Sequence, residues 1–421
     1  MNPLTRLLDN THISLRAVNS LTPKGAYSLF GNGLTAAGKM VTKSNATGLT
    51  SIYHAIDLIS QDYASLPQAV YESTGKGREK RDDNEISVLI NTRPNYFQTP
   101  FEFKRMRAVH RLVYGNSYVL IYRNKTSGRI EQLVPIHPDK VSDIWESDGE
   151  LWYRVEGIDM AVPSSELLHV KDLTIGTGFK GTSRIDACKE AIASGLAINE
   201  YAATYFGNGA NAGTTIESEV GSMDLSENPE QRKSLEISLD KKFKGSANAW
   251  KSLVLPPGFK LSNSTSRYNQ QQSQFIESRI KFDEEVAQIF NLPLNKMRVK
   301  RDGQSYNSQE QSNIEYVTDC LVPFSQGFKE EDNYKLFKSN ELGKIKIRVQ
   351  FEGRLKGDMK TQGEFIDKMV GNGIYSTNQA LEFLGLDPIG TDGDIRYKQG
   401  NLMFLGQSMI DNNSKNGEAG N

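Results

Sequence analysis

The sequence predicts an α+β protein, and three observations carry that reading. Short β-rich segments crowd between residues 117 and 170, and long helical periodicities fill much of the stretch from 183 to 328. After them Ile345, Ile347, Val349 and Phe351 alternate with Lys344, Lys346, Arg348 and Gln350, a strand with one buried and one wet face that rejoins the first sheet. With 421 residues, 37% of them hydrophobic, the chain can build two or three compact units.

In chain order, the first 45 residues are rich in Gly, Ser, Thr and Asn and read as a flexible segment. From Thr50, the spacing of Ile52, Ile56, Ile59 and Tyr63 predicts an amphipathic helix that ends before Leu66 and Pro67, leaving Ala69, Val70 and Tyr71 to extend. Thr99, Pro100 and Glu102 supply a cap, a proline at the first helical position and a glutamate three residues after the cap. That helix carries Phe103, Met106 and Val113 and stops at Gly115. Strands follow at 117–123, 131–135, 151–155 and 166–170, most simply as one mixed sheet flanked by helices.

Ser183, with Asp186 three residues on, starts a helix whose face holds Ile185, Cys188, Ile192, Leu196 and Asn199. Running to Phe206 it would be about 35 Å long, a rod that needs a neighbour. The pattern from Gln274 to Asn291, with Phe275, Phe282, Val286 and Ile289 and a stop at Pro293, supplies one. Residues 207–272 then protrude beyond two paired helices, and Glu217, Glu219, Asp224, Glu227 and Glu230 follow one another there without a base. After Pro293, Lys296, Arg298, Lys300 and Arg301 fall within six residues, followed by a small polar run to Ser308. Such a loop is either a plain solvated connection or a phosphate-facing device. A further helical pattern holds Ile314, Val317, Leu321, Phe324 and Phe328, with a kink expected at Pro323. A helical coda with Phe365, Met369 and Val370 turns at Gly373 into a capped helix from Thr377 and Asn378 to Gly385, and the last 16 residues are mostly polar or glycine.

Lys plus Arg number 50 against 51 Asp plus Glu, which argues against a general nucleic-acid coat and leaves room only for local, weak contacts. Cys188 and Cys320 lie inside helical patterns and read as buried thiols. The five histidines are spaced too widely for a metal site. The run Gly176 to Gly181 imitates a dinucleotide fingerprint, but an acidic loop, not a second strand, follows its helix. Neither a phosphate-loop lysine nor a nucleophile elbow is present. No catalytic residue, metal ligand or cofactor is nominated, which favours a structural or interaction protein. No apolar stretch reaches bilayer length and no signal-like apolar core follows basic residues at the start, so a soluble protein made in the cytoplasm is expected.

The blocks Asn91-Thr92-Arg93-Pro94-Asn95, Thr99 to Phe103 and Tyr114-Gly115-Asn116-Ser117-Tyr118 resemble the portal proteins of tailed bacteriophages. Later blocks follow in the same order: Pro135 to Val141, Leu168-His169-Val170, Gly181-Thr182-Ser183, Tyr205 to Ala210, Ile289 to Pro293, Ser305 to Gln311 and Gly373 to Ala380. The resemblance implies a ring, usually of about twelve subunits, at one vertex of a viral head, with double-stranded DNA passing through its channel without sequence readout. It implies a mixed α/β wing over 46–182, stem helices over 183–206 and 273–292, and a small α/β clip over 207–272. A tunnel loop would span 293–308, a tunnel helix and returning wing strand 309–354, a short helical crown 355–405, and a disordered tail 406–421. Lys296, Arg298, Lys300 and Arg301 would face DNA by position, and the acidic residues 217–230 would lie where the large terminase subunit and head-completion proteins dock. Capsid or scaffold proteins are further implied partners, and the virion the implied location. Two other readings are an enzyme acting on nucleic acid, which needs a carboxylate cluster or nucleophile, and a capsid adaptor without a channel.

Overall fold

Thr42 opens α1 (Lys43–Thr47) through a capping box with Asn45, and α2 (Thr50–Ala64) buries Ile52, Ile56, Ile59 and Tyr63 as their spacing predicts. The computed structural model describes residues 35–74, 77–124, 126–176, 178–207, 215–218, 230, 233–234, 237, 259–262, 268–298, 306–351, 359–384 and 386–396. They fall in two compact units, Met1–Phe351 and Glu352–Asn421.

In the first unit β1 (Gln68–Thr74), β2 (Gly77–Lys80) and α3 (Glu85–Asn91) precede α4 (Pro100–Tyr114). The expected cap of α4 forms in full: Thr99 Oγ1 accepts from the Glu102 amide, and Glu102 accepts from the Thr99 amide at 2.9 Å. Phe103 and Val113 face the core, whereas Met106 is exposed. Next come β3 (Asn116–Arg123), β4 (Ile130–Ile136), β5 (Val141–Ser147), β6 (Glu150–Val155), β7 (Val162–Pro163) and β8 (Leu167–Lys171).

The strands do not form the single mixed sheet expected. They make three-stranded sheets in the orders β4-β3-β8 and β5-β6-β7, and β1 lies between β2 and a later strand, β11 (Ile345–Val349). Every pairing of these strands is antiparallel. The links between most sequential strands are too short for the crossover that a parallel pair requires. Asp148 and Gly149 join β5 to β6 with φ of 54° and 79°, the left-handed pair that a tight hairpin needs.

The helix expected from Ser183 is two: α5 (Arg184–Ala187) and α6 (Lys189–Gly207), separated at Cys188, whose ψ of 30° leaves the helical basin. Ser183 Oγ accepts from the Asp186 amide at 3.2 Å and donates to the Val113 carbonyl at 2.7 Å, tying this start to the end of α4. A hairpin of β9 (Thr215–Ser218) and β10 (Phe259–Ser262) follows, then α7 (Tyr268–Phe290). α6 and α7 pair as anticipated: a Cβ at Gly195 would overlap the Phe282 ring, and the Tyr201 and Phe275 rings lie 6.3 Å apart. α8 (Tyr306–Glu315) runs into a π-helical turn (Tyr316–Leu321) and α9 (Val322–Lys335). Ile314, expected on the inner face, is exposed, while Val317, Leu321, Phe324 and Phe328 are buried. Cys320 is buried and Cys188 half-buried, both as free thiols.

The largest apolar cluster gathers α2, α4, the paired α6 and α7, the π turn and α9; a second lies under β1, α3, β3 and β11, and a third between β3 and β6. Two polar assemblies cross this interior. Arg107 of α4 makes bonds of 2.6 and 2.9 Å to both carboxylate oxygens of Asp332 of α9, with both side chains buried. Asn116 Oδ1 accepts from the Gly181 amide at 2.7 Å and from His169 Nε2 at 3.0 Å, so His169 Nδ1 is left to accept from Tyr153 OH at 3.1 Å. Burial first, and then Lys171, Lys335 and Lys180, hold His169 well below the ordinary histidine value, which fits that neutral tautomer. Gly115, at φ 73°, and Gly181 meet where added Cβ atoms would overlap the Thr182 and Gly115 carbonyls.

In the second unit α10 (Met359–Gly371) and α11 (Thr377–Leu384) form a hairpin in which the Phe365 ring lies 5.7 Å from Phe383 and 6.3 Å from Tyr375. The cap of α11 is Ser376, paired with Gln379, one residue before the expected Thr377. Asn378 instead binds the Gly390 carbonyl and the Asp394 carboxylate.

Candidate functional site

The segment that leaves α7 for α8 begins at Asn291, whose φ of 55° is a left-handed helix end that asparagine tolerates. Leu292 donates back to the Ala287 carbonyl at 2.8 Å and is buried, which ends α7 one residue before the expected Asn291 and three before Pro293. The Asn291 side chain then does a second task. Pro323 has no N–H for the carbonyl four residues before it, that of Asp319, and Asn291 Nδ2 donates to that oxygen at 2.7 Å. The helix accommodates the proline by widening into the π turn just before it, so the interruption lies at Tyr316–Leu321 and not at Pro323 itself.

Beyond Pro293 the chain makes successive turns, with Lys296, Met297 and Arg298 each donating three residues back. These turns are fastened to the core. Met297 is buried, and His54 Nε2 of α2 donates to the Lys296 carbonyl at 2.8 Å. The Lys296 ammonium lies 5.1 Å from the centre of the buried Tyr316 ring, and Tyr316 OH donates to Asp62 of α2 at 3.0 Å. Arg298, exposed with φ 57°, is the last residue described before α8.

The four expected loop cations therefore separate. Lys296 is half-buried against an aromatic ring, Arg298 is open to solvent, and Lys300 and Arg301 lie outside the described residues. Of the acidic set, Glu217 lies in β9 opposite Lys260 of β10, and Glu230 is an exposed helical residue beside Lys233, Ser234 and Ile237. Glu219, Asp224 and Glu227 are outside the described residues. Sequence reasoning missed His54, Asp62, Tyr316 and Asn291 as anchors. Only Asn291 carried a signal, as an asparagine at a helix end followed by Leu-Pro.

The family model described as phage portal protein matches residues 50–385. The portal protein of Enterobacteria phage HK97 is similar at 25% identity over 357 residues, covering 83% of this chain and 81% of that protein. The probable portal protein of Streptomyces phage phiC31 is similar at 23% identity over 380 residues, covering 86% and 80%. Among solved structures, an HK97 family phage portal protein from Corynebacterium diphtheriae shares the fold with a TM-score of 0.53 at 16% identity, over 76% of this chain and 96% of that one. A chain in the virion of a native gene transfer agent particle does so with a TM-score of 0.56 at 17% identity, over 82% and 94%. The motifs that resemble this family are the ones that build the interior described above: Gly115 with Gly181, Asn116 with His169, and Asn291 at the helix end. The chain belongs to the phage portal protein family.

Proposed function

We propose that copies of this chain close into a ring at one vertex of a viral head and that double-stranded DNA enters and leaves through the ring's channel. The family match over residues 50–385 carries this reading. The likeness of fold to chains from gene transfer agent necks computed with C12 and C6 symmetry supports a ring of about twelve subunits. The role is structural, and catalysis has no part in it.

Within that ring, residues 46–182 form the wing, 183–206 and 273–292 the stem helices, 207–272 the clip, 293–308 the tunnel loop, 309–354 the tunnel helix and returning strand, and 355–405 the crown. The close pairing of α6 with α7 and the return of β11 to β1 support this division. Arg298, Lys300 and Arg301 face DNA, and rotational symmetry repeats them as a collar of cations around the channel. Lys296 adds charge and orients the loop through Tyr316. Contacts of this kind attract phosphate without reading bases and stay weak enough for a duplex to slide. The acidic residues of the clip, Glu217, Glu219, Asp224, Glu227 and Glu230, meet the large terminase subunit and later a head-completion protein. The wing contacts capsid or scaffold proteins.

The test is a particle carrying R298Q, K300Q and R301Q together. Rings should still form, and packaging or retention of DNA should fall. Intact rings with unchanged packaging and retention would remove these cations from the mechanism.

A further inference from the structure

The sheet β11-β1-β2 has two unlike faces. Toward the core it presents Ile347, Val70 and Ile345, and residues directly opposite each other in an antiparallel pair share a face. The register places Lys346, Tyr71 and Lys80 in one row across the three strands on the other face. Arg348 stands beside Ala69 in the next row, and on the other side Ser73 lies between Arg78 and Lys344, to whose carbonyl it donates at 2.8 Å. Lys344, Lys346, Arg348, Arg78 and Lys80 are all exposed. Among the described residues their one ion-pair partner is Asp82, 3.2 Å from Lys80. Glu72 and Glu79 of the same strands are opposite each other on the reverse face, where Glu72 meets Arg81. In a chain whose total charge is −1, five cations gathered on one sheet face are a segregation of charge, not a surplus.

Resting on the DNA-channel reading above, we propose that this face is a second, sequence-independent contact for the phosphate backbone of double-stranded DNA, separate from the loop between α7 and α8. From Lys344 into β11 the three cations Lys344, Lys346 and Arg348 repeat every two residues, roughly 6.8 Å, and neighbouring strands add rows about 4.8 Å away, so the face offers a lattice of charge. An acidic protein is the less suitable occupant. Protein interfaces centre on aromatic and apolar anchors and are depleted in lysine, whereas Tyr71 is half-buried with its hydroxyl bound by Gln350 at 2.9 Å. Lysine and arginine without a pocket suit phosphates, which attract at long range and need no fixed geometry. The face lies within one chain's sheet and does not depend on ring closure.

The test measures binding of a short DNA duplex to the full chain in its assembled form across a salt series. R78Q, K80Q, K344Q, K346Q and R348Q together should make the dependence of log affinity on log salt shallower by about 4.5, at about 0.9 for each phosphate that is no longer neutralised. K344Q with K346Q alone, which leaves β2 untouched, should remove about 1.8 on the same scale. R298Q, K300Q and R301Q should leave the sheet's share in place. An unchanged slope in folded five-site and two-site variants would overturn the proposal. So would displacement of the duplex from this face by polyglutamate at equal charge, which would mark an acidic-protein site.

Discussion

Replacing Asp332 by Asn should destabilise the chain by about 3–5 kcal/mol, the range for removing one partner of a buried ion pair. Arg107 and Asp332 are 3% and 4% exposed at their side chains and share two hydrogen bonds, so the substitution strands a guanidinium that water cannot reach. Its surroundings offer only partial relief, from cation–π contacts. The rings of Phe328 and Phe103 lie 5.0 and 5.4 Å from its centre, and Arg107 Nε has no acceptor among the described residues. Lys104, one turn of α4 away, supplies a second readout. Burial first and then Arg107 bring its pKa down to about 8, while Asp332 opposes them, so D332N should lower it further. The assay is urea unfolding, read as a fall in midpoint at constant slope. R107M with D332L should recover most of the loss, because both desolvation penalties vanish together. A D332N loss below about 1 kcal/mol would refute the reasoning, since a pair worth so little is either hydrated or replaceable.

Gly195→Leu should cost at least about 1–3 kcal/mol by driving a side chain into the Phe282 ring and should separate α6 from α7; thermal unfolding measures the cost, and an unchanged Tm contradicts the close approach. Burial, and then His137, lowers the His110 pKa to about 4, so the unfolded chain takes up this proton first. The stability tied to the neutral ring is complete above the ordinary value of 6.5 and is lost as pH falls toward about 4, by about 3 kcal/mol in all; urea titrations of wild type and H110Q across that window should diverge by this amount. Asn291→Ala should release the Asp319 carbonyl and disfavour the left-handed helix end, at a cost of about 1–2 kcal/mol, and should speed amide exchange across the π turn. Unaltered exchange there would mean that Asn291 does not hold the turn.

Local signals in the sequence located most elements. The cap at Thr99, the periodicity of α2 and the alternation in β11 each act within a few residues, and each formed as read. Features set by partners far along the chain were not legible. Lys296 faces Tyr316 twenty residues later, Tyr316 reaches Asp62, and Arg107 meets Asp332 across 225 positions. The assumption of one mixed sheet failed because hydrophobic alternation marks strands without naming their neighbours, although Asp148-Gly149 was a readable sign of the β5-β6 hairpin. The basic sheet face was half visible: Lys344, Lys346 and Arg348 alternate in sequence, but only the register brings Arg78 and Lys80 beside them.

Electron microscopy of the purified assembly, with native mass to count subunits, tests the central claim most directly. A ring of about twelve copies with an axial opening wide enough for duplex DNA is the predicted result. A stable monomer at every salt and concentration, or a closed assembly without an axial opening, would contradict it.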